Sequence, residues 1–141
     1  MDVTQIPFAK HIGIERKEEG TLKLEPTQIL QNHIQSIHAS AQFALAETQT
    51  GLHLQLAFPE LVGKVVGLLR GSTVKYKNPA TTSIYVVASI DEEVKETFLN
   101  QLERKGRASI VVHVDVRDEE DVLTMQGEFS WFVQKLEDIT S

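Results

Sequence analysis

The sequence predicts an α+β fold, in which a set of antiparallel strands packs around one apolar helix. Segment 36–50 has helical spacing but is apolar over most of its circumference, so we expect a sheet to wrap it. The chain after residue 62 is dominated by alternating apolar and polar residues, the period of half-buried strands. The tight acidic turn 118–121 joins two such segments, 107–117 and one beginning at Leu123, which indicates antiparallel pairing.

Length, composition and charge indicate one globular domain over residues 1–141, with 41% hydrophobic and 24% charged residues. There are no cysteines, so disulfides and thiolate sites are excluded and a cytoplasmic location is expected. The net charge of −6 argues against a nucleic-acid partner. No apolar stretch has the length of a membrane span or a signal peptide, so we expect no membrane association.

The first elements expected in chain order are two short strands joined by a hairpin. Apolar and polar residues alternate over 12–14 and 22–24, which predicts the strands, and the charged segment 15–20 predicts the turn between them. Pro7 is expected to prevent a regular element at the start of the chain. Pro26 is expected to end the second strand.

The apolar helix is expected over residues 36–50, because Gly51 is a residue suited to end it. Residues 52–60 have an ambiguous pattern that favours a loop with a turn at Pro59. One long strand is then predicted over 62–77. The glycines inside it indicate bulges or the close approach of another backbone.

A further strand is predicted over residues 83–90, followed by an amphipathic helix at about 91–106 that lies outside the sheet. Asp91 is a suitable N-cap and Gly106 a suitable C-terminal cap. Between them an apolar stripe recurs at helical spacing, and basic residues occupy the last turn.

Signatures of several catalytic classes are missing from the sequence. There is no Gly-x-Ser-x-Gly elbow and no His-Glu-x-x-His motif, and His33 and His38 are not at a spacing typical of metal ligands. The glycines do not form a phosphate loop or a dinucleotide fingerprint. We therefore expect neither a metal site nor a cofactor.

Glu47 is the most informative polar residue, because it lies in the C-terminal half of an otherwise apolar helix. Desolvation there is expected to raise the pKa of its carboxyl group. Such a carboxylate can act as a general base on water or attack a carbonyl group directly. The alternative is that Glu47 reaches solvent at the end of the helix.

Polar groups before the helix also have a functional and a structural interpretation. The amides of Ala39 and Ser40 begin the helix, where unpaired N–H groups and the helix dipole can polarise a carbonyl oxygen. His38 lies beside them, although its ring can equally bond to the backbone. Asn32 is a catalytic candidate or simply a turn residue.

Arg70, Lys75 and Lys77 are candidate substrate-binding residues, because all three lie on or near the long strand and can receive phosphate groups. The structural alternative is that they form an ordinary solvated face of the sheet.

Taken together, these residues resemble the hotdog-fold acyl-CoA thioesterases. His38 follows Asn32 by six residues, and the acid Glu47 follows nine residues later. This is similar to the Asn-x-x-Gly-x-x-His-Gly-Gly segment of the PaaI-like branch and to the acid-bearing helix after it. Segment 76–80, Tyr-Lys-Asn-Pro-Ala, is similar to the Tyr-x-x-Pro-Ala of that family. The resemblance covers nearly the whole chain and extends to hotdog members of unassigned function.

The resemblance implies a curved antiparallel sheet around a central helix, and a hydrolase that acts on thioesters of CoA or of an acyl carrier protein. Glu47 matches the catalytic acid, and Asn32 matches the asparagine that places substrate and water. His38 and the amides of Ala39 and Ser40 match the turn that polarises the thioester carbonyl. Family active sites combine groups from two subunits, which implies a homodimer or a dimer of dimers.

The sequence also departs from the family pattern. Gln35 stands at a family glycine, Ala39 and Ser40 stand at the Gly-Gly pair, and Leu69 stands where some members carry a serine. The loss of the Gly-Gly pair favours an alternative, a non-catalytic hotdog module that binds acyl thioesters or a protein partner. A hotdog dehydratase has less support, because its His-x-x-x-x-Pro signature is missing.

Overall fold

The computed structural model describes residues 1–137, which form a six-stranded antiparallel sheet with a long helix on one face. The predicted arrangement of an antiparallel sheet around one apolar helix is therefore confirmed. The strands are β1 (Glu15–Glu18), β2 (Thr21–Leu24), β3 (Val65–Tyr76), β4 (Ile84–Ser89), β5 (Arg107–Asp118) and β6 (Leu123–Lys135). The helices are α1 (Pro7–Ile12), the central α2 (Ala39–Ala57) and α3 (Glu92–Lys105).

The strand order is β1-β2-β4-β5-β6-β3, which places β1 and β3 at the two edges of the sheet. The strands β5 and β6 pair along almost their whole length across the predicted acidic turn. The long strand β3 pairs with β6 and contains a bulge between Leu69 and Gly71. The bulge that the glycines predict in this strand is therefore confirmed.

Alternate residues of the strands point to one face of the sheet and form the core with α2. Leu45 and Ala46 of α2 are fully buried against this face, together with Ile84, Val116 and Phe129 of the strands. Residues over most of the circumference of α2 are buried or partly buried, which explains why its sequence is apolar nearly all round.

The amphipathic helix α3 is confirmed, but its expected position outside the sheet is wrong. Its buried residues Phe98 and Leu102 pack with Ile110 and Val112, which belong to the inner face of β5. Phe58, just after α2, belongs to the same apolar cluster. The two helices therefore cover the same face of the sheet, and α3 extends the core beyond the end of α2.

The N-terminal region differs from the sequence prediction. Pro7 begins helix α1 instead of preventing one, because its fixed φ and missing N–H suit the first helical position. Gly13 ends α1 in a left-handed conformation, with φ of 87°. Strand β1 is then the charged segment Glu15–Glu18, which the sequence suggests as a turn. All four of its residues are exposed, so no apolar alternation indicates this edge strand.

Gly51 does not end the central helix, and the predicted loop over residues 52–60 is wrong. Helix α2 continues to Ala57, and Pro59 begins a short 3-10 turn. Gly51 faces the indole of Trp131, from which a Cβ atom at this position would lie 3.9 Å away. Although α2 is long, no helix within residues 1–137 has the length and apolar character needed to cross a membrane.

Candidate active site

A mainly apolar cavity of about 500 Å³ lies beside α2. One face of the helix lines it from Glu47 to Phe58, and the opposite wall comes from β3, β6 and α3. The N-terminal segment before and within α1 covers part of it. The side chains and glycines that line the cavity are Met1, Val3, Ile6, Phe8, Ala9, Glu47, Thr48, Gly51, Leu54, Gln55, Phe58, Leu61, Val62, Gly63, Val65, Gly67, Phe98, Trp131 and Val133.

Glu47 is the one acidic or basic side chain in this lining, within the part of the chain that the structure describes. It is half-buried, and burial raises the pKa of its carboxyl group above the usual range, as expected from its place in an apolar helix. A carboxylate with a raised pKa is a stronger base. The position of Glu47 therefore combines basicity with direct access to an apolar cavity.

His38 is exposed and caps the start of α2. Its Nδ1 accepts a hydrogen bond of 3.0 Å from the backbone N–H of Ser40. The neutral ring consequently carries its proton on Nε2, which remains a donor. The structural interpretation of His38 is thus realised, and the Ser40 amide is occupied by the ring. The amide of Ala39 is among the first N–H groups of the helix, which lack an acceptor within it.

Asn32 organises the loop that leads into α2. Its side-chain oxygen accepts hydrogen bonds of 3.0 Å from the N–H groups of Ile34 and Ser36. Its amide nitrogen donates to the hydroxyl of Ser36 at 2.8 Å. Asn32 therefore has the turn-forming role that the sequence leaves open, and its side chain does not line the cavity.

Gln35 lies in this loop with φ of 59°, in the left-handed region. The glycine of the family pattern stands at this position, and glycine adopts such a conformation without the steric cost of a Cβ atom. We expect Gln35→Gly to raise the free energy of unfolding by about 0.5–1 kcal/mol. Urea unfolding tests this, with Gln35→Ala as the matched variant that removes the side chain but keeps Cβ. A stabilisation as large in the alanine variant would contradict the backbone explanation.

Segment 76–80, which resembles the Tyr-x-x-Pro-Ala motif, ties the start of α2 to the end of β3. The hydroxyl of Tyr76 donates to the carbonyl oxygen of Ala39 at 3.1 Å. The N–H of Ile37 donates to the carbonyl oxygen of Ala80 at 2.7 Å, and Ala80 is fully buried. The motif therefore fixes the position of the helix N-terminus.

A single chain does not bring all the predicted site residues together. His38 is the N-cap of α2 and Glu47 follows nine residues later, so the two residues lie about 13 Å apart along the helix axis. The guanidinium of Arg70 lies 3.8 Å from the ring centroid of Phe132, and Lys75 and Lys77 are exposed. None of these three cations lines the cavity.

The residues that sequence reasoning misses are those of the cavity wall around Trp131. The indole N–H donates to the hydroxyl of Thr50 at 2.8 Å, which fixes the ring. Gly51 of α2 and Gly67 of β3 both approach this ring. The signal in the sequence is a set of residues that follow Glu47 at helical spacing, namely Gly51, Leu54, Gln55 and Phe58. The set is recognisable only if the helix is taken to continue through Gly51.

Residues 7–133 match the family model DUF4442, which is described as a domain of unknown function. Comparison with curated protein sequences gives no significant match.

Solved structures with a similar backbone include a probable thioesterase from Pseudomonas aeruginosa, at 22% identity and a TM-score of 0.78, over 94% of this chain and 91% of that one. A thioesterase from Haemophilus influenzae is 19% identical, with a TM-score of 0.75 over 95% and 87% of the two chains. A Bacillus halodurans protein crystallised with CoA is 21% identical, with a TM-score of 0.70 over 89% and 74%. These similarities confirm the predicted hotdog fold.

Proposed function

Because the chain belongs to the DUF4442 family and shares its fold with proteins described as thioesterases, we propose that it hydrolyses acyl thioesters of CoA or of an acyl carrier protein. The observation that most supports this proposal is the half-buried carboxylate of Glu47 in the wall of an apolar cavity. An acyl chain fits the apolar part of the cavity and leaves its thioester near this carboxylate. The similar Bacillus halodurans structure contains CoA, which supports CoA as the carrier.

In the proposed reaction, Glu47 acts in one of two ways. As a general base, it takes a proton from water while the water oxygen attacks the carbonyl carbon. The C–S bond then breaks, and the proton passes to the leaving sulfur to give a free thiol and a carboxylic acid. As a nucleophile, Glu47 instead attacks the carbonyl carbon, so that the C–S bond breaks, the thiolate leaves and the acyl group remains on Glu47 as an anhydride. Water then hydrolyses the anhydride to the carboxylic acid, and its second proton passes to the thiolate, which restores the Glu47 carboxylate.

We propose that the complete site is shared by two subunits, because His38 and Glu47 of one chain lie about 13 Å apart along α2. The edge strand β3 supports a homodimer, because within residues 1–137 β3 pairs with β6 alone and its residue Leu68 is more than half exposed. Two such dimers can associate into a tetramer. In such a dimer, the loop of Asn32 and His38 from a second subunit polarises the thioester carbonyl opposite Glu47. Sedimentation of a stable monomer at micromolar concentration would contradict this shared site.

Arg70, Lys75 and Lys77 are the proposed receptors for the phosphates of CoA. Lys75 and Lys77 are exposed near the end of β3, and Arg70 projects from the bulge in the same strand. In a chain of net charge −6, exposed cations along one edge strand are where an anionic carrier is expected to bind.

The experiment that tests the proposed function is a screen for free thiol release from short, medium, long and aromatic acyl-CoAs. We expect protein-dependent release from at least one acyl class. The alternative, a non-catalytic acyl-thioester module, is supported by the occupation of the Ser40 amide by His38. Calorimetric binding of an acyl-CoA, together with no thiol release from any of the substrates, would overturn the hydrolase proposal in favour of this module.

A further inference from the structure

The cavity beside Glu47 has the length of an extended chain. Its helical wall runs from Glu47 to Phe58, which corresponds to about 16 Å along the axis of α2. A water molecule, and by similar size a methylene group, takes roughly 30 Å³ in a liquid, so a cavity of about 500 Å³ holds well over a dozen such groups. An acetyl group would leave most of this volume empty.

Two glycines flank the ring of Trp131 in the middle of the cavity. A Cβ atom at Gly51 would lie 3.9 Å from the indole, and one at Gly67 would lie 3.3 Å from it. The ring itself is held by the hydrogen bond from its N–H to Thr50. Any side chain at Gly51 therefore has to share the space between helix and sheet with whatever occupies the cavity.

The apolar end of the cavity is deep, and its cover is apolar. Phe58 and Phe98 are almost completely buried, and their ring centroids lie 5.0 Å apart. On the covering N-terminal segment, Ile6 and Phe8 line the cavity although they are 39% and 64% exposed. A surface that is apolar both at its base and at its exposed cover is suited to an aliphatic chain that enters from solvent.

Building on the proposed thioester hydrolysis, we infer that the substrates carry medium or long aliphatic acyl chains, and that Gly51 admits them because it places no side chain in the middle of the cavity. The chain lies along α2 toward Phe58 and Phe98, with its thioester beside Glu47. Apart from Glu47, the side chains along this path carry no charge, which matches an unsubstituted hydrocarbon.

Trp131 is the only tryptophan of the chain and lines the cavity, so its fluorescence reports directly on occupancy. We would titrate Glu47→Gln, which is expected to bind substrate without consuming it, with CoA and with acetyl-, octanoyl-, dodecanoyl- and hexadecanoyl-CoA. Affinity is expected to rise by up to about fourfold for each added methylene until the cavity is filled. CoA and acetyl-CoA are expected to leave Trp131 emission unchanged.

The matched variants are Gly51→Leu and Gly51→Ala. The leucine fills the middle of the cavity, so we expect at least tenfold weaker binding of dodecanoyl-CoA and a shift of preference toward shorter chains. The alanine adds one methyl group at an ordinary contact distance from Trp131 and is expected to retain octanoyl-CoA binding. If the leucine variant does not fold by circular dichroism, the chain-length series in the Glu47→Gln protein still decides the inference.

The outcomes separate this inference from the proposed hydrolysis. Chain-length-dependent changes in Trp131 emission would support the inference even if no thiol were released from any substrate. Equal kcat/KM for acetyl-CoA and dodecanoyl-CoA, with Trp131 emission unchanged by either, would overturn the inference and leave hydrolysis standing. Equal weakening of dodecanoyl-CoA binding in the leucine and alanine variants would also overturn the role of Gly51.

Discussion

Replacing Glu47 by Gln is expected to lower kcat/KM for thiol release by roughly a hundredfold to ten-thousandfold, the usual contribution of a general base. The amide keeps the size and hydrogen-bonding atoms of the side chain but cannot accept a proton from water or attack the carbonyl. Thiol release from the best acyl-CoA of the screen measures the effect. The matched control is Glu60→Gln, which makes the same charge change at an exposed residue outside the cavity and is expected to stay within twofold of wild type.

The same variant has a stability signature that distinguishes a catalytic role from misfolding. Burial raises the pKa of Glu47 in the folded protein, so folding favours its protonated form. That contribution is present below the ordinary carboxyl pKa and is lost as the pH rises through the raised folded-state pKa. Glu47→Gln is therefore expected to be more stable than wild type at neutral pH, with the difference disappearing in acid. Full turnover by this variant would exclude Glu47 as base or nucleophile.

The second large effect is expected for Gln49→Leu, which should lower the free energy of unfolding by about 2–4 kcal/mol. Gln49 is 1% exposed and joins α2 to the hairpin of β1 and β2. Its side-chain oxygen accepts from the N–H of Leu22 at 2.7 Å, and its amide donates to the carbonyl oxygen of Gly20 at 2.9 Å. Leucine has a similar volume but leaves both backbone groups unpaired, and an unpaired buried polar group is costly. Urea denaturation measures the change.

Gln42→Leu is the matched control on the same helix. Gln42 is 4% exposed, and within residues 1–137 its buried side-chain oxygen has no hydrogen-bond partner. Replacing it by leucine removes a buried oxygen without unpairing a partner, so we expect stability to change by less than about 1 kcal/mol or to rise. If both substitutions destabilise the protein equally, the difference in hydrogen bonding is not what sets their effects.

The elements that the sequence predicts well are those with local signals. Helix α3 is recognisable from its stripe and from Gly106, which adopts the left-handed C-terminal cap with φ of 74°. The strands on either side of the acidic turn are recognisable from the alternation of apolar and polar residues, which is most regular in β5. By contrast, β1 is exposed on both faces, and the role of Gly51 depends on Trp131, which lies eighty residues away. Neither feature has a local signal.

For the candidate site, the sequence identifies the carboxylate but not its surroundings. The unusual position of Glu47 follows from one apolar helix, so desolvation of its carboxyl group is predictable from local sequence. The cavity combines the N-terminal segment, α2, β3, α3 and β6, which only the fold brings together. The capping bond from Ser40 to His38 depends on ring orientation, which the sequence does not determine.

The pH dependence of kcat/KM for the wild-type protein tests the central claim, that the deprotonated carboxylate of Glu47 drives hydrolysis. We expect kcat/KM to fall as the pH is lowered, with a midpoint above the ordinary glutamate pKa of 4.5, because burial raises the pKa of Glu47. In Glu47→Gln, the residual activity should lack this acid limb. A profile that stays flat through this range, or an acid limb that survives unchanged in Glu47→Gln, would contradict it.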